Sequence, residues 1–79
     1  MNYLATFHTH LSALLTSEAI LNAGGKARMS PVPRSLSASC GTCVRYETET
    51  DCRELLDRDF ESLYKISNKG DYILLLENE

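Results

Sequence analysis

The chain has 79 residues and a formal net charge of −3, and it contains three cysteines, two histidines and no tryptophan. That length allows one small domain (1–79) with a thin core, because short chains bury a smaller share of their surface than long ones. A hydrophobic content of 43% excludes a highly charged disordered tail. No apolar run reaches the ~18 residues of a membrane span, and an acidic chain is unsuited to general nucleic-acid binding. We therefore expect neither a membrane nor a nucleic acid as partner.

The cysteines are the most informative part of the composition. The first residues lack the basic and apolar segments of a secretory signal, which predicts a cytoplasmic protein. In such a chain, an odd number of cysteines favours thiol or metal chemistry over a disulfide framework. Two of the three form a Cys-x-x-Cys motif, Cys40 to Cys43.

The first half of the chain predicts a strand, a helix and a second strand. Aromatic and β-tolerant residues predict the strand Tyr3–Phe7. Helical spacing of apolar and small residues predicts a helix over about His10–Ala23, with Thr9 as N-cap and Gly24-Gly25 as its stop. The stripe expected to face the core consists of Ala13, Leu14, Ser17, Ile20, Leu21 and Gly24. A strand over Lys26–Val32 then ends among prolines, which belong at a sheet edge.

The second half predicts three strands and a short helix. After an irregular, serine-rich loop (34–42), strict alternation predicts a half-buried strand at Cys43–Thr48. A capping-box pattern that starts at Asp51 predicts a short helix. The apolar face of that helix consists of Cys52, Leu55, Leu56 and Phe60. The last two strands, Leu63–Ser67 and Tyr72–Leu76, are joined by a turn and form a hairpin.

The predicted order, β-α-β-β-α-β plus one further strand, is typical of an α+β, ferredoxin-like fold. Right-handed crossovers in the two βαβ halves place both helices on one face of an open antiparallel sheet. The extra C-terminal strand would lie at an edge of that sheet. Such an edge could pair with a second copy or with another protein.

Cys40 is the strongest candidate for chemistry. It lies between Arg34 and Arg45, and nearby cations stabilise the thiolate, which is the nucleophilic form of cysteine. Ser39 offers a hydroxyl donor, and Gly41 removes a side chain beside the sulfur so that a partner's backbone can approach. This loop is typical of a nest that holds a sulfur anion. The alternative is a half-buried structural cysteine, because free cysteine is among the most buried residue types.

Cys40 and Cys43 also form a candidate dithiol pair, in which Cys43 would be the resolving thiol. In thioredoxin-like proteins such a pair opens a helix, whose N-terminus favours the first thiolate. Here the pair precedes a strand, so the local sequence supplies no such helix.

A metal site and a histidine base are two further alternatives. Cys40, Cys43 and Cys52, together with His8 or His10, have ligand types that suit zinc. No second paired motif completes that set, and Cys52 fits the apolar stripe of the predicted helix, so we expect no metal and no other cofactor. His8 and His10 flank the first strand–helix turn, either as an acid or base near the thiol or as residues of a solvated turn.

Several short segments resemble the selenium/sulfur (Se/S) carrier protein-like family, a group of short bacterial proteins. The matching segments are Phe7-His8, Ala23-Gly24, Pro31–Arg34, Ser39–Gly41 and Arg45-Tyr46. The resemblance covers nearly all of the chain to about Ile66, and the stretch from the prolines to the Ser-Cys-Gly turn is its most specific part.

The resemblance implies that Cys40 holds sulfur or selenium as a persulfide or perselenide and passes it to a partner protein. The implied partners are a donor protein and an acceptor protein, and the chain would be a carrier rather than a stand-alone enzyme. Arg34 and Arg45 would stabilise the charged chalcogenide. Cys43 and Cys52 depart from the family pattern, so the resemblance implies no dithiol activity. A redox module that uses Cys40 and Cys43, and an interaction domain without thiol chemistry, remain as alternatives.

Overall fold

The protein is described from a computed structural model, which covers residues 1–36, 38, 40–49, 51 and 53–78. Within these residues the chain forms five strands and one α-helix. Their bounds are β1 Asn2–Phe7, α1 His10–Asn22, β2 Lys26–Pro31, β3 Thr42–Glu47, β4 Phe60–Ile66 and β5 Tyr72–Glu77. The strands form one antiparallel sheet in the order β2-β3-β1-β4-β5. The α+β class is thus confirmed, and the sheet is consistent with a ferredoxin-like core to which β5 is added.

The hydrophobic core lies between the sheet and α1, which packs over β1, β2 and β3. Ala5 of the central strand β1 is paired with Val44 on one side and with Leu63 on the other, and all three are fully buried. The complete core cluster is Tyr3, Ala5, Phe7, Ala13, Ile20, Val44, Tyr46 and Leu63. Because side chains alternate along a strand, the residues between these lie on the opposite face, which we call the open face.

The N-cap of α1 is confirmed, and the face predicted to turn to the core is confirmed at Ala13, Ser17 and Ile20 but wrong at its two leucines. Thr9 Oγ1 accepts a hydrogen bond from the backbone N–H of Ser12 at 3.2 Å, as an N-cap does. The residues buried against the sheet are Ser12, Ala13, Thr16, Ser17 and Ile20. Leu14 and Leu21, which were expected in the core, are 39% and 53% exposed. Since the sheet already contributes large side chains, small residues on α1 let the helix approach closely, and the leucines face outward.

The second predicted helix is wrong, and so is the placement of two helices on one face of the sheet. Residues 53–55 and 58–59 form turns instead. Asp51 does cap the first turn, because its Oδ1 accepts the backbone N–H of Arg53 at 3.0 Å. Hydrogen bonds from the Arg53 side chain and backbone also lower the pKa of the Asp51 carboxyl. Cys52 lies outside the described residues.

The turns persist because one tertiary partner and one local turn bond take backbone N–H groups that a helix would use. The N–H of Asp57 donates to Thr16 Oγ1 on α1 at 2.9 Å, and the N–H of Leu56 donates to the carbonyl of Arg53, only three residues back. A helix of two turns gains few internal bonds against a costly nucleus, so such partners decide the outcome. Leu55 and Leu56 still pack against the core, as their apolar character predicted.

The remaining elements differ from the predictions mainly at their ends. β4 begins at Phe60 rather than Leu63, because the chain leaves the turns three residues earlier. β5 lies at the edge of the sheet as expected, and about half of the surface of Ile73, Leu74 and Leu75 is exposed. No helix among the described residues is long and apolar enough to cross a membrane.

Replacing either of two buried threonines by valine should change the free energy of unfolding, in opposite directions at the two positions. Thr16 is buried and its Oγ1 accepts the half-buried N–H of Asp57, so Thr16→Val leaves that N–H unpaired and should cost about 1 kcal/mol or more. Thr6 Oγ1 is buried and finds no hydrogen-bond partner among the described residues. Thr6→Val removes that unpaired hydroxyl and should stabilise the fold by about 1 kcal/mol. Urea unfolding of both variants measures the two changes, and shifts in the same direction would contradict this hydrogen-bond assignment.

Candidate functional site

Cys40 lies at the end of the loop that joins β2 to β3, immediately before the sheet resumes. The loop is closed at its base by a hydrogen bond from the Val32 N–H to the Gly41 carbonyl at 3.1 Å. The Cys40 side chain is half-buried, and its thiol donates to the carbonyl oxygen of Thr42 at 3.7 Å. The sulfur is therefore held at the beginning of β3, on a residue that is partly exposed. Ser39, a predicted site residue, lies outside the described residues.

The structure brings His10 to the same place. His10 is the first residue of α1, and its Nδ1 lies 3.4 Å from the Thr42 hydroxyl. Thr42 thus contacts the imidazole through its side chain and the Cys40 thiol through its backbone. These residues are 32 positions apart in the chain, and the pairing of β1 with β3 brings them together. His8, in contrast, lies 4.0 Å from the Glu61 carboxylate.

The N-terminus of α1 is occupied by a carboxylate of this chain. Asp59 Oδ2 accepts hydrogen bonds from the hydroxyls of Ser12 and Thr9, at 3.0 Å and 3.4 Å. A negative charge at this end of a helix is stabilised by the helix dipole and by the free N–H groups of the first turn. Asp59 therefore already supplies the anion that this helix end favours.

The two predicted arginines lie in different surroundings. Arg34 is exposed in the turn that follows Pro33. Arg45 lies on the open face, where its Nη2 donates to the Tyr72 hydroxyl at 2.8 Å and its Cζ lies 5.6 Å from the centre of the Tyr72 ring. Since Tyr72 belongs to β5, this contact spans the strands β1 and β4 that separate β3 from β5. The structure therefore joins Arg45 to Tyr72 and does not bring its guanidinium into contact with the thiol.

Cys43 is a fully buried free thiol within β3. Its sulfur lies 3.4 Å from the hydroxyl of Ser30 and 3.6 Å from the carbonyl oxygen of Pro31, both on β2. An external reagent can reach this sulfur only if the β2–β3 pair opens locally. Of the two cysteines that the structure describes, Cys40 is thus the accessible one.

Gly41 is exposed, and a Cβ added there would have no atom within 4 Å. The fold therefore does not need a glycine at this position. For the metal alternative, the described residues contain no group of three His, Cys, Asp or Glu side chains that could hold an ion.

The comparisons with known proteins bear on this site. A family model described as "Putative Se/S carrier protein-like" matches residues 2–65. The match runs from β1 through nearly all of β4 and includes Cys40 and its loop, whereas β5 lies beyond it. Searches of the curated proteins and of the solved structures gave no match.

Proposed function

Because this chain belongs to the Se/S carrier protein-like family, we propose that it carries sulfur or selenium on Cys40 and passes it to a partner protein. The observation that carries the proposal is the half-buried Cys40 at the end of the β2–β3 loop, in contrast to the fully buried Cys43. A carrier needs one accessible sulfur and a surface on which donor and acceptor proteins can dock. It needs no deep substrate cleft, which suits a chain of 79 residues.

The loading step is an exchange between a thiol and a persulfide. The Cys40 thiolate attacks the terminal sulfur of a persulfide on the donor protein, and a new bond forms between this sulfur and Sγ. The bond between the terminal sulfur and the donor's cysteine breaks, and the donor's thiolate leaves and takes up the proton that Cys40 gave away. No outside oxidant is consumed. Delivery is the same exchange with a thiol of the acceptor protein, which attacks the terminal sulfur on Cys40. Selenium would follow the same two steps as the terminal atom.

His10 is the group that we assign to proton movement in this step. His10 lies against Thr42, whose carbonyl oxygen accepts the Cys40 thiol. Thr42 thus separates the imidazole from the thiol by one residue, and the role assigned to His10 is to accept the proton that leaves when the thiolate forms. The exposure of the ring lets it exchange that proton with water.

Loading can be tested by intact-mass measurement. The reduced protein is incubated with a cysteine desulfurase and cysteine, and we expect a gain of one sulfur atom that a thiol reductant removes. Cys40→Ser should abolish this gain because the accepting sulfur is absent. Cys43→Ala is the matched control and should load like the wild type. A gain that persists in Cys40→Ser, or no gain in the wild type, would refute the proposal.

The same two variants separate the alternative functions. A dithiol redox or redox-sensing module needs Cys43 to resolve Cys40, so mild oxidation should protect Cys40 from alkylation in the wild type but not in Cys43→Ala. A carrier needs Cys40 alone. A pure interaction domain predicts that Cys40 in the folded protein does not react with alkylating agents.

A further inference from the structure

Three positively charged side chains gather on the open face of the sheet. The pairing of β2 with β3 places Arg28 directly opposite Arg45, and Lys26 lies two residues before Arg28 on the same face. Like charges directly opposite one another on neighbouring strands destabilise a sheet. The chain keeps this arrangement although its net charge is −3.

No carboxylate in the described part of the chain forms an ion pair with this cluster. Within the described part of the chain, neither Lys26 nor either arginine forms an ion pair, and the two ion pairs found there are His8–Glu61 and Arg53–Asp51. Glu47 is the acid opposite Lys26 in the register, yet the two do not meet within ion-pair distance. The cluster therefore keeps a positive charge that an anion could balance.

These side chains line an open cavity of about 470 Å³. Its lining includes Asn2, Lys26, Arg28, Arg45, Glu47 and Ile66. The volume lies within the range of small-molecule sites in proteins, ~300–1,000 Å³. Three cations against one carboxylate give the cavity a positive balance, and the Asn2 amide offers one further polar group.

Arg45 is already held in place. Its hydrogen bond to the Tyr72 hydroxyl and its position over the Tyr72 ring fix the guanidinium, so binding a ligand would freeze little further motion. The bond to Tyr72 uses one N–H group of a guanidinium that has five. The other four remain to contact a ligand.

We propose that the open face binds the phosphate group of a small phosphorylated molecule between Arg28 and Arg45. A phosphate has oxygens on all sides and carries close to two negative charges, so it can bridge two guanidinium groups, whereas a planar carboxylate matches a single one. Lys26 adds a point charge at the rim of the cavity, and the remaining volume accommodates the organic part of the molecule. This site does not depend on the sulfur chemistry of Cys40.

Thermal unfolding at constant ionic strength tests the site. We expect inorganic phosphate to raise the unfolding midpoint in a saturable way and chloride or acetate to have a smaller effect. Glycerol 3-phosphate should bind at least as tightly as inorganic phosphate. Arg28→Gln should weaken phosphate binding about tenfold or more, the change expected for losing a charged hydrogen bond. Arg58→Gln is the control, because Arg58 is exposed and lies outside the cavity, and it should bind like the wild type.

Three outcomes would overturn the assignment. They are equal stabilisation by phosphate and chloride, unchanged phosphate binding in Arg28→Gln, and weaker binding of glycerol 3-phosphate than of inorganic phosphate. Without phosphate, Arg28→Gln should be at least as stable as the wild type, because it removes the like-charge pair. A Cys40→Ser protein should bind phosphate normally, so failure of this site and failure of the carrier function are distinguishable.

Discussion

Leu63→Ala should reduce the stability of this protein more than any other substitution considered above. Leu63 is fully buried on β4, where it pairs with Ala5 in the centre of the sheet. Truncating a buried leucine removes its transfer free energy and leaves a cavity, at a combined cost of about 2–5 kcal/mol. A domain of this size has roughly 4–12 kcal/mol of stability in total, so the loss is a large fraction of it. Thermal unfolding followed by circular dichroism should show a midpoint lower by roughly 10–30 °C.

Leu21→Ala is the matched control for that measurement. Leu21 is 53% exposed on the outer side of α1, and alanine favours the helix slightly more than leucine does. We expect its unfolding midpoint to lie within a few degrees of the wild type. Equal losses in the two variants would show that the outward leucines of α1 are part of the core, against the observed burial.

The strands were predictable because their signals are local. The alternation of apolar and polar residues predicted β3 to within one residue at each end, and the apolar run that follows the turn predicted β5. On α1 the pattern correctly placed Ala13, Ser17 and Ile20 in the core, but hydrophobicity alone wrongly added Leu14 and Leu21 and missed the small polar residues Ser12 and Thr16. It failed again after Asp51, where the partner that keeps the Asp57 N–H out of a helix is Thr16, 41 residues earlier in the chain.

The candidate site was also predictable only where its signals are local in the sequence. Cys40 could be chosen from its neighbours in the sequence, and the structure leaves it accessible. Its proximity to His10 depends on the β1–β3 pairing, so no local pattern could place the imidazole beside Thr42. The alternation that predicted β3 could not show that Ser30 and Pro31 of β2 lie against the Cys43 sulfur.

Gly25→Ala should be the second strongly destabilising change. Gly25 follows α1, and a Cβ there would lie 2.8 Å from the Glu47 carbonyl oxygen and 2.8 Å from Ile20 Cγ2. The first of these atoms is backbone of β3, so the close approach can be relieved only by moving the helix end away from the sheet. We expect a loss of about 2–3 kcal/mol, as for other overpacked sites, measured by urea unfolding.

Gly41→Ala, in contrast to Gly25→Ala, should leave the stability unchanged and slow the loading of Cys40. A Cβ at Gly41 has open space around it, so the free energy of unfolding should change by less than about 0.5 kcal/mol. The added methyl group lies next to Cys40, where a donor protein must bring its persulfide close to the sulfur. We expect slower sulfur loading from a desulfurase but unchanged alkylation by iodoacetamide, which is small enough to pass the methyl group.

Wild-type loading rates in Gly41→Ala would mean that donors approach Cys40 from another side. Equal slowing of both reactions would mean that the substitution has altered the thiol itself.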